Sequence, residues 1–481
     1  MEKILNYIDG ELHPPIKGNY LENINPSTGT PYSLIPDSDE RDVEKAVRAA
    51  QRAFAGWSKT PARDRSRLLT RLAQLIEENL DDLAKIESID NGKPLSLART
   101  IDIPRAAQNF HFFATAILHF SSEAHIMEDT AINYTLREPI GVAGCISPWN
   151  LPLYLFTWKI APALAAGNTV VAKPSEITPM SAYRLSQLCQ QAGFPPGVLN
   201  IVHGYGHKVG SAITAHPDVA CISFTGGTTT GAEIARQAAP MFKKISLELG
   251  GKNPNLIFSD CQYEQMLQTT LRSSFSNQGE ICLCGSRIYI ERNMYEKFKT
   301  DFVERTQQLK VGDPLEEGSD LGAVVSKQHL EKILSYIQLA TEEGGTILCG
   351  GNRIFLHGRC KDGYFVEPTI IEGLDIHCRT NQEEIFGPVV TLTPFDTEEE
   401  VISYANATPY GLAAIIWTEN LTRAHRVAAA LKAGIIWINC WMLRDLRTPF
   451  GGMKSSGVGR EGGWEALRFF TEPKNVCVKI K

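Results

Sequence analysis

Cys282 lies in the segment Phe275 to Arg287, FSNQGEICLCGSR, among small and polar residues, and Glu248 precedes it in the run LELGGKNP. A cysteine and a carboxylate set in such segments suggest thiol chemistry assisted by a carboxylate base. A thiol of ordinary pKa, about 8.5, is mostly protonated at neutral pH, yet the few per cent present as thiolate is a potent nucleophile. The competing reading is an inert buried thiol, because free cysteine is among the most buried residue types. Asn150, in the apolar stretch ISPWNLPL, offers an amide donor of the kind that stabilises an oxyanion. Cys282 and Cys284 form a C-x-C, but no second cysteine pair or H-x3–5-H follows at zinc-site spacing, so no metal is expected.

Other residues point to a nucleotide. No strict G-x-G-x-x-G is present; GYGHKVG, Gly204 to Gly210, misses it by one position and reads as a surface turn. In FTGGTTTG a strand runs into Gly226 and Gly227, and a helix is expected to begin near Gly231, an arrangement able to cradle a pyrophosphate. A P-loop needs Lys and Ser/Thr directly after its last glycine. Ala232 and Glu233 stand there instead, which disfavours nucleoside triphosphate hydrolysis. Lys173 and Glu176, in AKPSE, fall at a strand end, where a parallel sheet presents ligand groups. A carboxylate at that place accepts the adenosine-ribose hydroxyls and repels a 2′-phosphate, favouring NAD over NADP; a solvated ion pair on a loop is the plainer alternative.

The elements that must position these residues are legible in outline. The first part of the chain reads as helices: Val43, Ala46, Val47, Ala50 and Phe54 share one helical face, with Ser38 as the expected cap, and Leu68, Leu69, Leu72, Leu75, Ile76, Leu80 and Leu83 share another. From residue 140 on, short apolar runs bounded by Gly, Pro and Asn alternate with helical patterns: GVAGCIS, NTVVAKP, GVLNIVHG, VACISFTGG, KKISLELGG, PNLIFS. That rhythm returns after the cysteine in SRIYIE, PVVTLTPF, GLAAIIWT and GIIWINC. It predicts two doubly wound parallel α/β units. Ala131 to Glu138 and Asn475 to Lys481 alternate with period two, as strands that either pair across subunits or form an edge hairpin.

The chain has 481 residues, a formal charge of −6 and eleven cysteines without disulfide-framework spacing. The acidic balance leaves no basic excess for nucleic acid or anionic lipid. Neither a signal peptide nor a membrane span is evident, and the cysteines read as reduced thiols, so a cytoplasmic location is expected.

Seven segments, ISPWN, KPSE, FTGG, LELGGKNP, NQGEIC, EEIFGPV and PFGGMKSSGVGREG, occur in the order and approximate spacing of the NAD(P)-dependent aldehyde dehydrogenases. The chain resembles that family over essentially its whole length, and NQGEICLC with NCWMLRDLRTPFGG is similar to its muconic semialdehyde branch. The resemblance implies Cys282 as nucleophile, Asn150 with the Cys282 backbone N–H as oxyanion hole, and Glu248 as the base that hydrolyses the thioester. It implies Lys173 and Glu176 at the adenosine ribose, Gly226, Gly227 and Gly231 under the pyrophosphate, and Glu384 and Phe386 at the nicotinamide ribose. Ile146, Trp149 and Leu249 would line the NAD through backbone and packing. In the muconic branch Arg105 and Arg444 would grip a carboxylate on the aldehyde, with Arg447 competing for the second place.

The implied architecture is a split NAD-binding domain (1–117 and 140–250), a catalytic domain (251–448) and oligomerisation arms (118–139 and 466–481), assembled as a homodimer or homotetramer. Two departures from the family stand out. Gly227 removes a hydroxyl that would bond phosphate, and Glu280, where Gln is frequent, adds a negative charge expected to raise the Cys282 pKa. The rivals are a catalytically silent protein with the same fold and a cysteine hydrolase, which leaves Lys173, Glu176 and FTGG unexplained.

Overall fold

A computed structural model describes residues 1–481. Five parallel strands, Val142–Ile146, Thr169–Lys173, Leu199–Ile201, Val219–Thr225 and Lys244–Glu248, form the centre of an eight-stranded sheet. From Val142–Ile146 the chain winds outward through the next two strands, then returns to add Val219–Thr225 and Lys244–Glu248 on the other side. The order therefore reverses between Val142–Ile146 and Val219–Thr225. Such a switch point opens a crevice at the carboxyl ends of the strands. Registers align those ends: Ile146 pairs with Lys173 and with Phe224, and Thr225 pairs with Glu248.

A second, seven-stranded sheet runs in the order Thr346–Cys349, Thr369–Glu372, Val389–Phe395, Arg287–Glu291, Pro254–Ile257, Ala413–Trp417, Ile435–Ile438, with only the first strand antiparallel. Every apolar run named above falls on a strand of one sheet or the other. Thr471–Lys479 and Ala131–Pro139 pair antiparallel with each other within the chain, and Ala124–Met127 completes a separate three-stranded sheet.

Three local expectations are corrected. The first helix, Glu40–Trp57, is capped by Asp39, not Ser38. Asp39 Oδ1 accepts from the Arg41 N–H at 3.0 Å and Asp42 Oδ2 from the Asp39 N–H at 3.1 Å, whereas the Ser38 hydroxyl is occupied by Asn6 Nδ2 at 2.8 Å. The helix after FTGG is Thr228–Ala238, three residues ahead of Gly231. And the chain begins with strands: Asn6–Ile8 joins the first sheet antiparallel to Leu199–Ile201.

Asn168 ties the third sheet to the first. It is fully buried, accepts from the N–H groups of Ile140 and Gly141 at 2.7 and 3.1 Å, and donates to the carbonyls of Ala163 and Phe470 at 3.2 and 2.8 Å. Asn168→Ala would orphan buried groups at about 1–3 kcal/mol each. The expected result is an apparent unfolding temperature lower by several degrees with cofactor affinity retained; an unchanged transition in a thermal melt would contradict this account of the joint.

Candidate active site

Glu248 ends a strand of the first sheet and Pro254 begins one of the second, so residues 249–253 carry the chain from one to the other. Gly250 and Gly251 make close approaches here. A Cβ on Gly250 would collide with Glu384 Oε2, and one on Gly251 would lie 2.9 Å from the Cys282 carbonyl oxygen. The Gly251 N–H donates to Glu384 Oε1 at 2.8 Å. Asn253 Nδ2 donates to the carbonyls of Cys282 and Cys284 at 2.7 and 2.8 Å. Trp441 Nε1 donates to the carbonyl of Leu283 at 2.9 Å, fixing the turn from its far side.

Cys282 follows the helix Tyr263–Phe275 through a tight turn in which Asn277 and Gln278 take left-handed φ values of 53° and 55°. Two consecutive non-glycine residues in that region cost on the order of 1 kcal/mol each, and such strain persists where surrounding bonds overdetermine it. Those bonds are present: Asn277 Nδ2 donates to the carbonyls of Asn150 and Glu280 at 3.2 Å, and Gln278 Nε2 to that of Ala323 at 3.1 Å. Asn150 Nδ2 itself donates to the Glu280 carbonyl at 2.9 Å. A primary amide has two N–H groups, so one remains for another acceptor. The Cys282 backbone N–H has no partner within the chain.

Electrostatically the site is short of counter-ions. Glu248 is 3% exposed with both carboxylate oxygens unpartnered. Burial drives its pKa well above the usual carboxylate range, Glu461 adds to this, and Lys159, Arg460 and Arg444 oppose it. Cys282 keeps some accessibility through the cavity, yet burial is still the largest influence on its thiol, raising the pKa far above the ordinary thiol value, with Glu384 and Glu248 adding repulsion. Glu280 does not act as the sequence suggested. Its carboxyl is wholly buried and accepts from the Val325 N–H at 3.1 Å, and burial raises its pKa well above the usual carboxylate range. The carboxylates that act foremost on the Cys282 thiol are Glu384 and Glu248.

Two adjoining cavities make one groove leading to Cys282. The first is lined by Lys173, Glu176, Ile146, Trp149, Gly226 and Gly227; the second shares the last three and adds Asn150, Leu249, Cys282, Glu384 and Phe386. Lys173 Nζ donates to Glu176 Oε2 at 2.8 Å, and Glu176 Oε1 accepts from the Gly206 N–H at 3.2 Å. Burial would raise the Glu176 pKa, but Lys173 more than offsets this and lowers it, keeping the carboxylate ionised. Gly231 lines neither cavity, and a Cβ there would collide with the side chain of Leu249, which lines the second. Phe386, at φ 63°, stands edge-on to Trp149 with ring centroids 5.2 Å apart. His329 packs 5.1 Å from Trp149 and, with Lys332, lines the same cavity. Neither had been singled out from the sequence.

The residues fit a dinucleotide. The N-terminal turn of Thr228–Ala238 opens onto the groove beside Gly227, where a Cβ would meet nothing within 4 Å. Helix N-termini and open glycines suit a pyrophosphate. A third cavity contains Arg105 and Arg444. Arg447 lines the same cavity, but it is 81% exposed and paired with Asp445 at 2.6 Å.

The model of the aldehyde dehydrogenase family matches residues 15–476. The chain belongs to the aldehyde dehydrogenase family. It is an oxidoreductase acting on aldehydes, with NAD(P) as cofactor. A 2-aminomuconic semialdehyde dehydrogenase of Danio rerio is 54% identical over 477 residues, 98% of each chain. A 2-hydroxymuconic semialdehyde dehydrogenase of Pseudomonas sp. (strain CF600) is 46% identical, covering 100% of both chains. The solved NAD+ complex of aldehyde dehydrogenase from Bacillus cereus superposes with a TM-score of 0.97 at 41% identity, covering 100% of this chain and 97% of the other.

In this aldehyde dehydrogenase, removing a negative neighbour of Cys282 should make the thiol more acidic. Iodoacetamide labelling of Cys282 in Glu384→Gln is expected to run several-fold faster than in the parent enzyme at the same alkaline pH. An equal or slower rate would show that Glu384 does not act on the thiol.

Proposed function

We propose that the protein oxidises a semialdehyde bearing a carboxylate, with 2-aminomuconic 6-semialdehyde as the foremost substrate and the 2-hydroxy analogue next, to the corresponding acid with NAD. The observation that carries the substrate class is Arg105: its Nε and Nη2 are buried and have no hydrogen-bond partner, in a cavity that it shares with Arg444. Unpaired guanidinium donors in low dielectric call for an anion, and a carboxylate matches their fork bidentately. Relatives named for 2-aminomuconic semialdehyde in Danio rerio and for 2-hydroxymuconic semialdehyde in Pseudomonas agree with that class.

The Cys282 sulfur attacks the aldehyde carbon, and the resulting oxyanion is taken up by the spare Asn150 amide N–H and the free Cys282 N–H. Donors so placed are worth roughly 3 kcal/mol each. NAD, held by Lys173, Glu176 and the Gly226–Gly227 turn, would supply the hydride acceptor, and loss of hydride would leave the substrate carbon as a thioester on Cys282. Glu248, with no protein partner for either oxygen, is free to hold a water and to take its proton as the water attacks the thioester. The acid and the thiol are then released. The ionised Glu176 would accept the ribose hydroxyls and repel a 2′-phosphate, which favours NAD over NADP. Ile126, Met127, Leu136 and Val478 are 41–78% exposed on the three-stranded sheet. An apolar surface of this kind supports assembly into a homodimer or homotetramer. No helix is long and apolar enough to cross a membrane.

NADH formation with 2-aminomuconic or 2-hydroxymuconic semialdehyde, beside a neutral aliphatic aldehyde of similar length, tests the substrate class. The carboxylated substrates should be preferred, and Arg105→Ala or Arg444→Ala should raise their KM roughly 10- to 100-fold. Equal or better use of the neutral aldehyde would discard the class.

A further inference from the structure

Tyr154 lies between the two arginines. It is 3% exposed, in the first turns of the helix Pro152–Ala165 that follows Asn150. Its hydroxyl oxygen accepts from Arg444 Nη1 at 2.8 Å, and its ring face carries the Arg105 guanidinium 5.5 Å from the centroid. One helical turn further on, Trp158 lies 5.5 Å from the Arg444 guanidinium, and Phe450 faces it at 4.0 Å. The Tyr154 backbone is itself fixed, its carbonyl accepting from Asn109 Nδ2 at 3.0 Å, and Asn109 stands one turn beyond Arg105 on the helix Ile103–Ala116.

The contacts around these cations are apolar faces and one neutral hydroxyl. The nearby acid, Asp445, is engaged by Arg447 at 2.6 Å. Neither guanidinium is in an ion pair; burial depresses the Arg105 pKa and Arg444 adds to this, while Tyr154 and Asp445 oppose it. A carboxylate at position 154 would cancel one of the two charges, and an aliphatic residue would leave Arg444 free to turn. A tyrosine orients both guanidiniums and cancels neither charge.

We propose that Tyr154 is a positioning residue for substrate selection, setting the spacing and direction of Arg105 and Arg444 so that their unbalanced charge is met by the carboxylate of the aldehyde. The inference rests on the carboxylated-substrate reading above. Tyr154→Phe deletes the hydroxyl that orients Arg444 and keeps the ring beneath Arg105; Tyr154→Leu deletes both.

The test compares KM and kcat for a carboxylated semialdehyde and a neutral aldehyde in the parent enzyme and both variants. Affinity for adipate, a saturated linear dicarboxylate, is measured by calorimetry in parallel, with a thermal melt to confirm folding. In Tyr154→Phe the KM for the carboxylated substrate and the adipate Kd should rise together by about 3- to 10-fold. The rise should be larger in Tyr154→Leu, with kcat changed less than about twofold and neutral-aldehyde kinetics unaltered. Unchanged KM and Kd in both variants, or equal losses with both substrates, would overturn the role of Tyr154 while leaving the substrate class intact. A parent enzyme with no preference for the carboxylated substrate would overturn the class itself, and this inference with it. If Tyr154→Leu melts early, Tyr154→Phe alone decides.

Discussion

The short span from Glu248 to Pro254 is the constraint on which the site depends. A strand of one sheet ends at a buried acid and a strand of the other begins six positions later, so these two strand ends are held within a single loop's reach. That loop has no room for side chains at Gly250 and Gly251, because Glu384 and the Cys282 backbone occupy the space. Asn253 completes the lock by holding the carbonyls on either side of Leu283. Cys282, Glu248 and Glu384 are thereby set relative to one another largely by backbone geometry.

The same enclosure decides the charges. Glu248, Glu280 and Glu384 all have raised pKa values, in each case through burial first. Cys282 is raised with them. A pocket that discourages negative charge at rest leaves a large electrostatic gain for any group that stabilises an oxyanion or thiolate during the reaction, since interactions in low dielectric are worth more than in water. Positive charge enters from Arg444, which opposes the rise of both the Glu248 and the Cys282 pKa and is itself packed against the aromatic rings of Trp158 and Phe450.

Much of this was legible in the sequence. The runs VACISFT and KISLE announced strands by β-branched residues between Gly and polar breakers, and the period-two alternation of AINYTLRE and NVCVKIK announced the third sheet. What escaped has physical reasons. The start of the helix at Thr228 was hidden by three threonines, whose restricted χ1 lowers helix propensity and mimics a loop. The pairing of Asn6–Ile8 with Leu199–Ile201 is a long-range contact that no local pattern encodes. The complete burial of Glu280 escaped because one position cannot reveal it. His329 sits on the polar-looking helix Lys327–Glu342, and Tyr154 lies in a helix whose fourteen residues are all buried, so neither broke its local pattern.

The central claim is that Glu248 acts on a thioester carried by Cys282, after hydride transfer and not before it. Rapid mixing of Glu248→Gln with NAD and a carboxylated semialdehyde examines this most directly, following NADH absorbance and quenching samples for mass analysis of the Cys282 peptide. The expected result is a burst of about one NADH per active site, a Cys282 peptide heavier by the acyl group, and steady turnover slowed at least about 100-fold. A variant that gives no burst, or that turns over at the parent rate without acylated Cys282, would contradict the account.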